Sequence, residues 1–288
     1  MRRNELIERK AVFYPGYDKD MNIIAVPLGN TIIAGKTGAG KTILLNNLIK
    51  NAIEFNRADA ITISIWSGVE RNVDIWHPKK NKKITAERYI PHIGLLAYDE
   101  SLGDYSASEF NLDEGMSEEV YRELLKPMSR EMFLEEIYKE IISRKQCLQD
   151  MYNCSTFEDY KKTYSNNMHM NQHIVFMDGF DMTYSDDEFL CEILSESEAV
   201  GVYFVLAAQP SRCMNAKLLD YISNTFVLPM NEVDTAYFLD TDGITLPSYG
   251  YGICKREDKE ETTLISIPFL PNSFLQKFVG SYSVRYQA

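Results

Sequence analysis

A glycine-rich loop between a short apolar strand and a helix constrains the fold of this chain more than any other feature. Thr31-Ile32-Ile33-Ala34 leads into a segment that matches the pattern G-x-x-x-x-G-K-T, from Gly35 to Thr42. Apolar residues then recur at helical spacing, at Ile43, Leu44, Leu48, Ala52 and Ile53. A strand, a glycine turn and a helix in this order predict a backbone loop that binds phosphate groups at a helix N-terminus.

Each residue type in this phosphate loop has a chemical reason. Gly35, Gly38 and Gly40 allow a tight turn that brings backbone N–H groups close to phosphate oxygens. We expect Lys41 to reach the β- and γ-phosphates of ATP, and the Thr42 hydroxyl to hold Mg²⁺. The predicted nucleotide-binding residues are Gly35, Lys36, Thr37, Gly38, Ala39, Gly40, Lys41 and Thr42.

Composition excludes several classes of protein. The 288 residues are 45% hydrophobic, contain no apolar run of membrane-spanning length, and begin without the apolar core of a signal peptide. We therefore expect a cytoplasmic protein without direct membrane insertion. The five cysteines are scattered and form no C-x-x-C pair, so we expect buried small apolar residues rather than disulfides or a zinc site.

Apolar strands alternate with helices along the chain. Strands are predicted at 11–14, 23–26, 31–34, 60–66, 173–178, 201–207, 225–228, 252–254 and 262–267. A long helix is predicted from Ser129, a natural N-cap, to about Tyr152, followed by a shorter one at 157–164. The long helix is expected to bury one face made of Met132, Phe133, Ile137, Ile141 and Leu148.

This alternation predicts a single doubly wound α/β domain over residues 1–288, with ligands at the carboxyl ends of its parallel strands. Residues 1–30 are expected to supply lead-in strands. Residues 99–128 contain an acidic insertion, whose role the sequence does not indicate. Residues 250–270 are predicted to close the sheet with an antiparallel hairpin.

Two further residues are predicted at the strand ends beside the phosphate loop. Asp178 follows the apolar run Ile174-Val175-Phe176-Met177, where a carboxylate that assists Mg²⁺ is expected, so Thr42 and Asp178 are the predicted metal ligands. Gln209 follows the next apolar strand. Its amide either orients the attacking water or senses the γ-phosphate, or it is a polar turn residue before Pro210.

The charge distribution bears on nucleic-acid binding in two ways. The net charge of −12 argues against a chain that coats nucleic acid by bulk electrostatics, although it allows a local basic patch. The densest basic run is His77-Pro78-Lys79-Lys80-Asn81-Lys82-Lys83. This run is either a solvated loop or a contact to a phosphate backbone.

The order of the motifs resembles the motor domain of the FtsK/SpoIIIE translocases and their HerA-type relatives, over about residues 17–270. In family order, the similar segments are 17–22, 33–42, Ile90-Pro91-His92, Arg144 with 156–160, Asp178, 206–211, 224–240 and Gly250-Tyr251-Gly252. The resemblance implies a RecA-like P-loop NTPase that forms a ring, usually a hexamer, and moves double-stranded DNA through it. We expect the compact form carried by conjugative elements and phages, recruited by a partner protein at a membrane or capsid portal.

One departure from the family pattern concerns the catalytic base. The family has Asp-Glu where this chain has Asp178-Gly179, and the glutamate assists the attacking water. General-base assistance contributes about 10²–10⁴-fold to a rate. Three readings stay open: Asp181, Glu70 or another carboxylate replaces the glutamate, hydrolysis is slow, or the chain binds nucleotide without hydrolysing it.

A second departure concerns the arginine that contacts the γ-phosphate. The arginine expected after Asp234 is replaced by Thr235. Arg144 and Arg212 are the remaining candidates, unless either is only a surface charge. The predicted catalytic residues are therefore Lys41, Asp178, Gln209, Asp181 and Arg144.

Three functional hypotheses follow. The first is an ATP-driven motor for double-stranded DNA, of the conjugative-transfer or phage-packaging type. The second is a catalytically degenerate nucleotide-binding subunit of a larger assembly, which Gly179 suggests. The third is a motor that moves protein, as in the type VII secretion ATPases, which share these motifs.

Overall fold

The chain folds around one large β-sheet. The computed structural model describes residues 12–68, 75–76, 88–99, 102, 125–164, 168–180, 188–209, 216–241, 249–282 and 284–285. Its strands are β1 (Val12–Phe13), β2 (Val26–Pro27), β3 (Thr31–Ala34), β4 (Ile61–Ser67), β5 (Arg88–Tyr89), β6 (Ile93–Tyr98), β7 (Leu125–Pro127), β8 (Gln172–Phe180), β9 (Val202–Ala208), β10 (Asn224–Val227), β11 (Tyr251–Arg256), β12 (Lys259–Ser266) and β13 (Val284–Arg285).

Within the described residues, nine strands form the main sheet in the order β12-β11-β10-β3-β9-β8-β4-β6-β7. The strands from β10 to β7 are parallel to their neighbours, whereas β11 and β12 are antiparallel. This arrangement confirms the predicted α/β class, with a mainly parallel sheet and a C-terminal antiparallel hairpin. The carboxyl ends of the parallel strands meet at one edge of the sheet.

Helices cover both faces of the sheet. They are α1 (Lys41–Phe55), α2 (Arg130–Asp150), α3 (Phe157–Thr163), α4 (Glu188–Ser197), α5 (Ala216–Leu219), α6 (Glu232–Leu239) and α7 (Asn272–Tyr282), with a 3₁₀ turn at Glu198–Val200. Residues of α1 and α7 pack in one hydrophobic cluster, on the face that includes Ile33, Ile65 and Phe176. Residues of α2, α3, α4 and α6 pack on the opposite face. Burial on both faces explains why the central strands are almost wholly apolar.

The long helix α2 begins where the sequence predicts. The Ser129 side chain accepts a hydrogen bond from the Met132 backbone N–H, as an N-cap does. Phe133, Ile137 and Ile141 are buried as expected, but Met132 is 51% exposed, so its assignment to the buried face was wrong. At 3.6 residues per turn, Met132 lies on the opposite side of α2 from the buried Ile137 and Ile141, so it faces away from the sheet.

Other strand predictions need correction in detail. The lead-in strand predicted at 23–26 is displaced to β2, which pairs with β1 in a separate two-stranded sheet. Strands β6 and β7 extend the main sheet and were not predicted. The hairpin turn is shorter than expected, because β11 continues to Arg256 and β12 begins at Lys259.

Several predicted features fall outside the described residues or are only partly confirmed. The basic run 77–83 and most of the acidic segment, residues 100–101 and 103–124, lie outside them. Cys154 and Cys254 are buried, whereas Cys147 and Cys191 are half-buried. In the part of the chain that the structure describes, no helix is both long enough and apolar enough to cross a bilayer.

A polar network joins α2 to the sheet. The Glu140 carboxylate lies 2.7 Å from Arg144 Nε and 2.8 Å from His173 Nδ1, and His173 Nε2 lies 2.8 Å from Ser64 Oγ. Burial raises the pKa of Glu140, but His173 and Arg144 outweigh burial and lower the pKa to about 2. The ionised carboxylate therefore contributes to the stability of the fold.

We predict that Glu140→Gln lowers the free energy of unfolding by about 1 kcal/mol at neutral pH, because an amide replaces the charge while Arg144 stays buried. Because the folded pKa is lowered, this contribution is present above the ordinary value of 4.5 and is lost as the pH falls toward 2. Urea unfolding at several pH values measures it. Glu136→Gln, which changes only an exposed pair with Lys139, is the matched control. An equal loss of stability for Glu140→Gln at pH 7 and pH 3 contradicts the prediction.

Candidate functional site

The phosphate loop connects β3 to α1 at the carboxyl edge of the sheet. Its backbone enters the left-handed region twice, with φ of +77° at Gly38 and +103° at Gly40. A Cβ atom at either position would meet no atom within 4 Å, so the backbone conformation rather than space favours glycine there. These turns place the loop residues at the N-terminus of α1.

Gly35 is required for a different reason, namely space. A Cβ atom at Gly35 would lie 2.9 Å from Leu228 Cβ and 3.1 Å from Ala39 Cβ. The Lys36 backbone N–H donates to the Pro229 carbonyl across 3.3 Å. The phosphate loop is therefore packed directly against the chain that follows β10.

Lys41 lies over the loop at the start of α1. Its Nζ donates to the Gly35 carbonyl across 2.7 Å and to the Lys36 carbonyl across 3.1 Å. Burial lowers the pKa of Lys41, and the charge of Asp178 opposes this effect. The first turn of a helix also leaves backbone N–H groups without intrahelical acceptors. An ammonium and these N–H groups together form a site for an anion such as phosphate.

Asp178 ends the buried part of β8 and is only 2% exposed. The Gly179 backbone N–H donates to its Oδ1 across 3.0 Å, whereas its Oδ2 has no hydrogen-bond partner within the described residues. Burial raises the pKa of Asp178, and Thr42, Gly179 and Lys41 act in the opposite direction. A buried carboxylate oxygen without a partner is costly unless a ligand satisfies it.

The donor set fits Mg²⁺ bound together with phosphate groups. Thr42 and Asp178, the two predicted metal ligands, are close enough for the hydroxyl to stabilise the carboxylate. Magnesium prefers oxygen ligands and is usually held by one or two carboxylates, waters and substrate phosphates. No cluster of three or more His, Cys, Asp or Glu side chains that could hold a metal alone exists among the described residues. The site therefore suits a metal that arrives with a nucleotide.

Gln209 lies between the phosphate loop and Asp178. It follows β9, which pairs with β3 on one side and with β8 on the other. Its side chain is exposed at the carboxyl edge. This position suits an amide that contacts the γ-phosphate or the attacking water, and its role stays a prediction.

Gly179 occupies a β-bulge. Asp178 pairs with Ala207 and Phe180 with Ala208, so Gly179 is the extra residue, and its φ is +75°. A glutamate here would adopt a left-handed backbone conformation that residues with a Cβ rarely adopt. Asp181, Glu70 and Arg212, the other candidates for base and arginine, lie outside the described residues.

Arg144 lies away from the site. It is 8% exposed, and its guanidinium donates to the Asn171 carbonyl across 2.7 Å and to Asn171 Oδ1 across 3.1 Å. Asn171 precedes β8, so Arg144 lies near the sheet edge opposite Asp178. Its donors bind Glu140 and Asn171, so Arg144 does not face the phosphate loop of its own chain, and its role as a catalytic arginine stays a prediction.

One aromatic residue near the loop was missed by the sequence reasoning. The Lys36 Nζ lies 5.5 Å from the ring centre of Tyr249, which precedes β11. The available signal was the alternation of aromatic residues and glycine in Tyr249-Gly250-Tyr251-Gly252. Such alternation can mark a backbone held closely against its neighbours with rings exposed.

Comparisons with known proteins bear on the fold. No protein-family model and no curated protein matches the sequence. Among solved structures, the cytoplasmic domain of the type VII secretion ATPase EccC of Thermomonospora curvata is 15% identical, with a TM-score of 0.68, over 98% of this chain and 33% of its own. EssC (ATPases 2 and 3) of Geobacillus thermodenitrificans is 14% identical, with a TM-score of 0.65, over 94% of this chain and 48% of its own.

A third structure, described as an ATPase, is 9% identical with a TM-score of 0.52 and covers 94% of both chains. This chain spans less than half the length of the EccC and EssC structures. At such identities the likeness shows the fold. The chain has the RecA-like P-loop NTPase fold.

We predict that Asp178→Asn stabilises the protein without ligands and weakens its response to Mg²⁺–ATP. The amide removes a buried charge whose pKa is raised, so the free energy of unfolding at pH 7 should rise by about 1 to 3 kcal/mol. Since a raised pKa means that the folded state holds the proton more tightly, this difference should shrink as the pH falls.

Thermal unfolding with and without Mg²⁺–ATP measures both effects. Wild type should gain stability from Mg²⁺–ATP, and Asp178→Asn should gain less. Asp220→Asn, at an exposed carboxylate, is the control and should change neither quantity. A less stable Asp178→Asn that responds normally to Mg²⁺–ATP would show that the carboxylate is structural.

Proposed function

We propose that this chain is an Mg²⁺-dependent ATPase that acts as a ring-forming motor. The observation that carries the ATPase proposal is the buried Asp178 carboxylate, which lies close to Thr42 and Lys41 of the phosphate loop and has one oxygen without a partner among the described residues. The RecA-like fold supports the proposal, because the loop after β3 and the end of β8 lie at the same edge of the sheet, with β9 between them.

The chain's own residues perform three tasks in this proposal. The loop backbone and the N-terminus of α1 bind the phosphates and orient them. Lys41 neutralises charge at the β- and γ-phosphates, for which its Nζ must leave the Gly35 and Lys36 carbonyls. Thr42 and Asp178 would hold Mg²⁺, which when bound would supply charge stabilisation to the transferred phosphoryl group.

In this proposal Gln209 orients the attacking water. Its exposed amide lies at the edge between Asp178 and the loop. An amide can position water but cannot take its proton, so a carboxylate such as Asp181 or Glu70 completes the proposed site. If Gln209 acts without such a carboxylate, we expect the rate of ATP hydrolysis to be low.

We predict that Lys41→Ala lowers ATP hydrolysis by about 10²-fold or more, because it removes the ammonium that faces the phosphates. The measurement is steady-state phosphate release by the purified chain, with and without linear double-stranded DNA. Lys139→Ala, which changes an exposed lysine on α2, is the matched control. ATP hydrolysis that persists in Lys41→Ala would overturn the ATPase proposal.

We propose double-stranded DNA as the cargo, moved by a ring, most simply a hexamer, that a partner protein recruits to a membrane or portal. The motif order that resembles DNA translocases supports this cargo. The net charge of −12 restricts DNA contacts to local basic segments such as residues 77–83.

The basic run provides a test of the cargo. Replacing Lys79, Lys80, Lys82 and Lys83 with glutamine should weaken DNA binding and reduce its dependence on salt, because fewer counterions are released. Binding to a labelled duplex across a salt series measures the effect, and basal ATP hydrolysis should stay unchanged. DNA-stimulated hydrolysis that is unaffected by these substitutions would exclude this run from the DNA interface.

A second candidate is a subunit that binds ATP without hydrolysing it. The specific observation is the β-bulge at Gly179, which leaves no carboxylate directly after Asp178. Nucleotide binding with phosphate release no faster than in Lys41→Ala would favour this candidate. Robust hydrolysis by wild type would remove it.

A third candidate is a motor for protein. Its support is the fold shared with the type VII secretion ATPase EccC over 98% of this chain. If the chain hydrolyses ATP and oligomerises but does not bind DNA at low salt, this result would favour protein as the cargo.

A further inference from the structure

The two sides of the phosphate loop differ in chemistry. On one side β3 is followed by β9 and β8, which bring Gln209 and Asp178 to the edge. On the other side it is followed by β10 and β11, and Tyr249, which precedes β11, is exposed there beside the loop. The groups suited to the metal and the γ-phosphate therefore lie on one side, and an aromatic ring lies on the other.

A chain of close contacts holds Tyr249 beside the loop. Gly35 is packed against Leu228, and a Cβ atom at Gly252 would lie 2.8 Å from Leu228 Cδ2. Gly250 adopts φ of +93°, and its carbonyl accepts a hydrogen bond from the Ile267 backbone N–H across 2.8 Å. The backbone on which Tyr249 sits is thus tied to both β10 and the end of β12.

The side chain of Tyr249 lies at the surface beside Lys36. It is 63% exposed, so it adds little to the core. The Lys36 ammonium lies 5.5 Å from its centre, a distance at which a cation is attracted to an aromatic face. An aromatic ring has two faces, and in a ring that is 63% exposed with Lys36 over one face, a flat group can stack on the other.

We infer that Tyr249 stacks on the base of the nucleotide bound at the phosphate loop. The inference rests on the proposed ATP binding. A nucleoside triphosphate whose γ-phosphate lies toward Asp178 and Gln209 must extend its ribose and base away from them, toward β10 and β11. Among the described residues, Tyr249 has its ring beside the loop on that side. Stacking uses the face of the base, so Tyr249 contributes affinity for nucleotides and little selectivity among bases.

Binding of two ligands that share the phosphate groups tests this inference. One ligand is a non-hydrolysable ATP analogue and the other is inorganic tripolyphosphate, each with Mg²⁺ and measured by calorimetry. Tyr249→Ala should lower the affinity for the ATP analogue by about tenfold and leave the affinity for tripolyphosphate unchanged. Tyr249→Phe should bind both ligands as wild type does. Tyr221→Ala, at an exposed tyrosine before β10, is the control.

The outcomes separate this inference from the proposed function. Equal binding of the ATP analogue by wild type and Tyr249→Ala overturns the inference, while ATP binding through Lys41 stands. If Tyr249→Ala weakens the binding of both ligands equally, the inference is also overturned, because the substitution then acts through the phosphate loop. If wild type binds neither ligand, the proposed function fails and the inference fails with it.

Discussion

The close contact between Gly35 and Leu228 is the constraint on which the site depends. Only a residue without Cβ allows the loop to approach β10 to this distance, since a Cβ atom would come within 2.9 Å of Leu228. The parallel register then brings the other groups level with the loop, because Ala34 pairs with Ala208 and Asp178 with Ala207. Local glycine chemistry and sheet register together produce the site. Neither alone would place a carboxylate beside the phosphate loop.

Burial dominates the electrostatics of the candidate site. Burial raises the pKa of Asp178 and lowers that of Lys41, so both groups are shifted toward their neutral forms. The two shifts share one cause, the removal of charged groups from water. A divalent cation and a phosphate anion would reverse both effects. The same desolvation that costs stability without ligands therefore strengthens the interactions with them.

Sequence reasoning succeeded where the signal was local and failed where it depended on long-range packing. The glycine spacing predicted the loop from Gly35 to Gly40, and apolar runs predicted β8 and β9, because both features are encoded within a few residues. The position of Arg144 in the fold could not be predicted from the sequence, since its hydrogen-bond partner Asn171 lies 27 residues away. Tyr249 was missed for the same reason: its nearness to Lys36 follows from the antiparallel placement of β11 beside β10.

The glycine after Asp178 has a structural explanation that the sequence did not provide. With φ of +75° it forms a bulge, and its N–H caps the Asp178 carboxylate. A glutamate introduced there would strain the backbone, and the bulge would change the direction of its side chain. We therefore do not expect Gly179→Glu alone to restore a general base. The bulge and the missing glutamate are one feature of β8. If the chain hydrolyses ATP, its base would therefore come from another position, and the first acidic residues after β4 and β8 are Glu70 and Asp181.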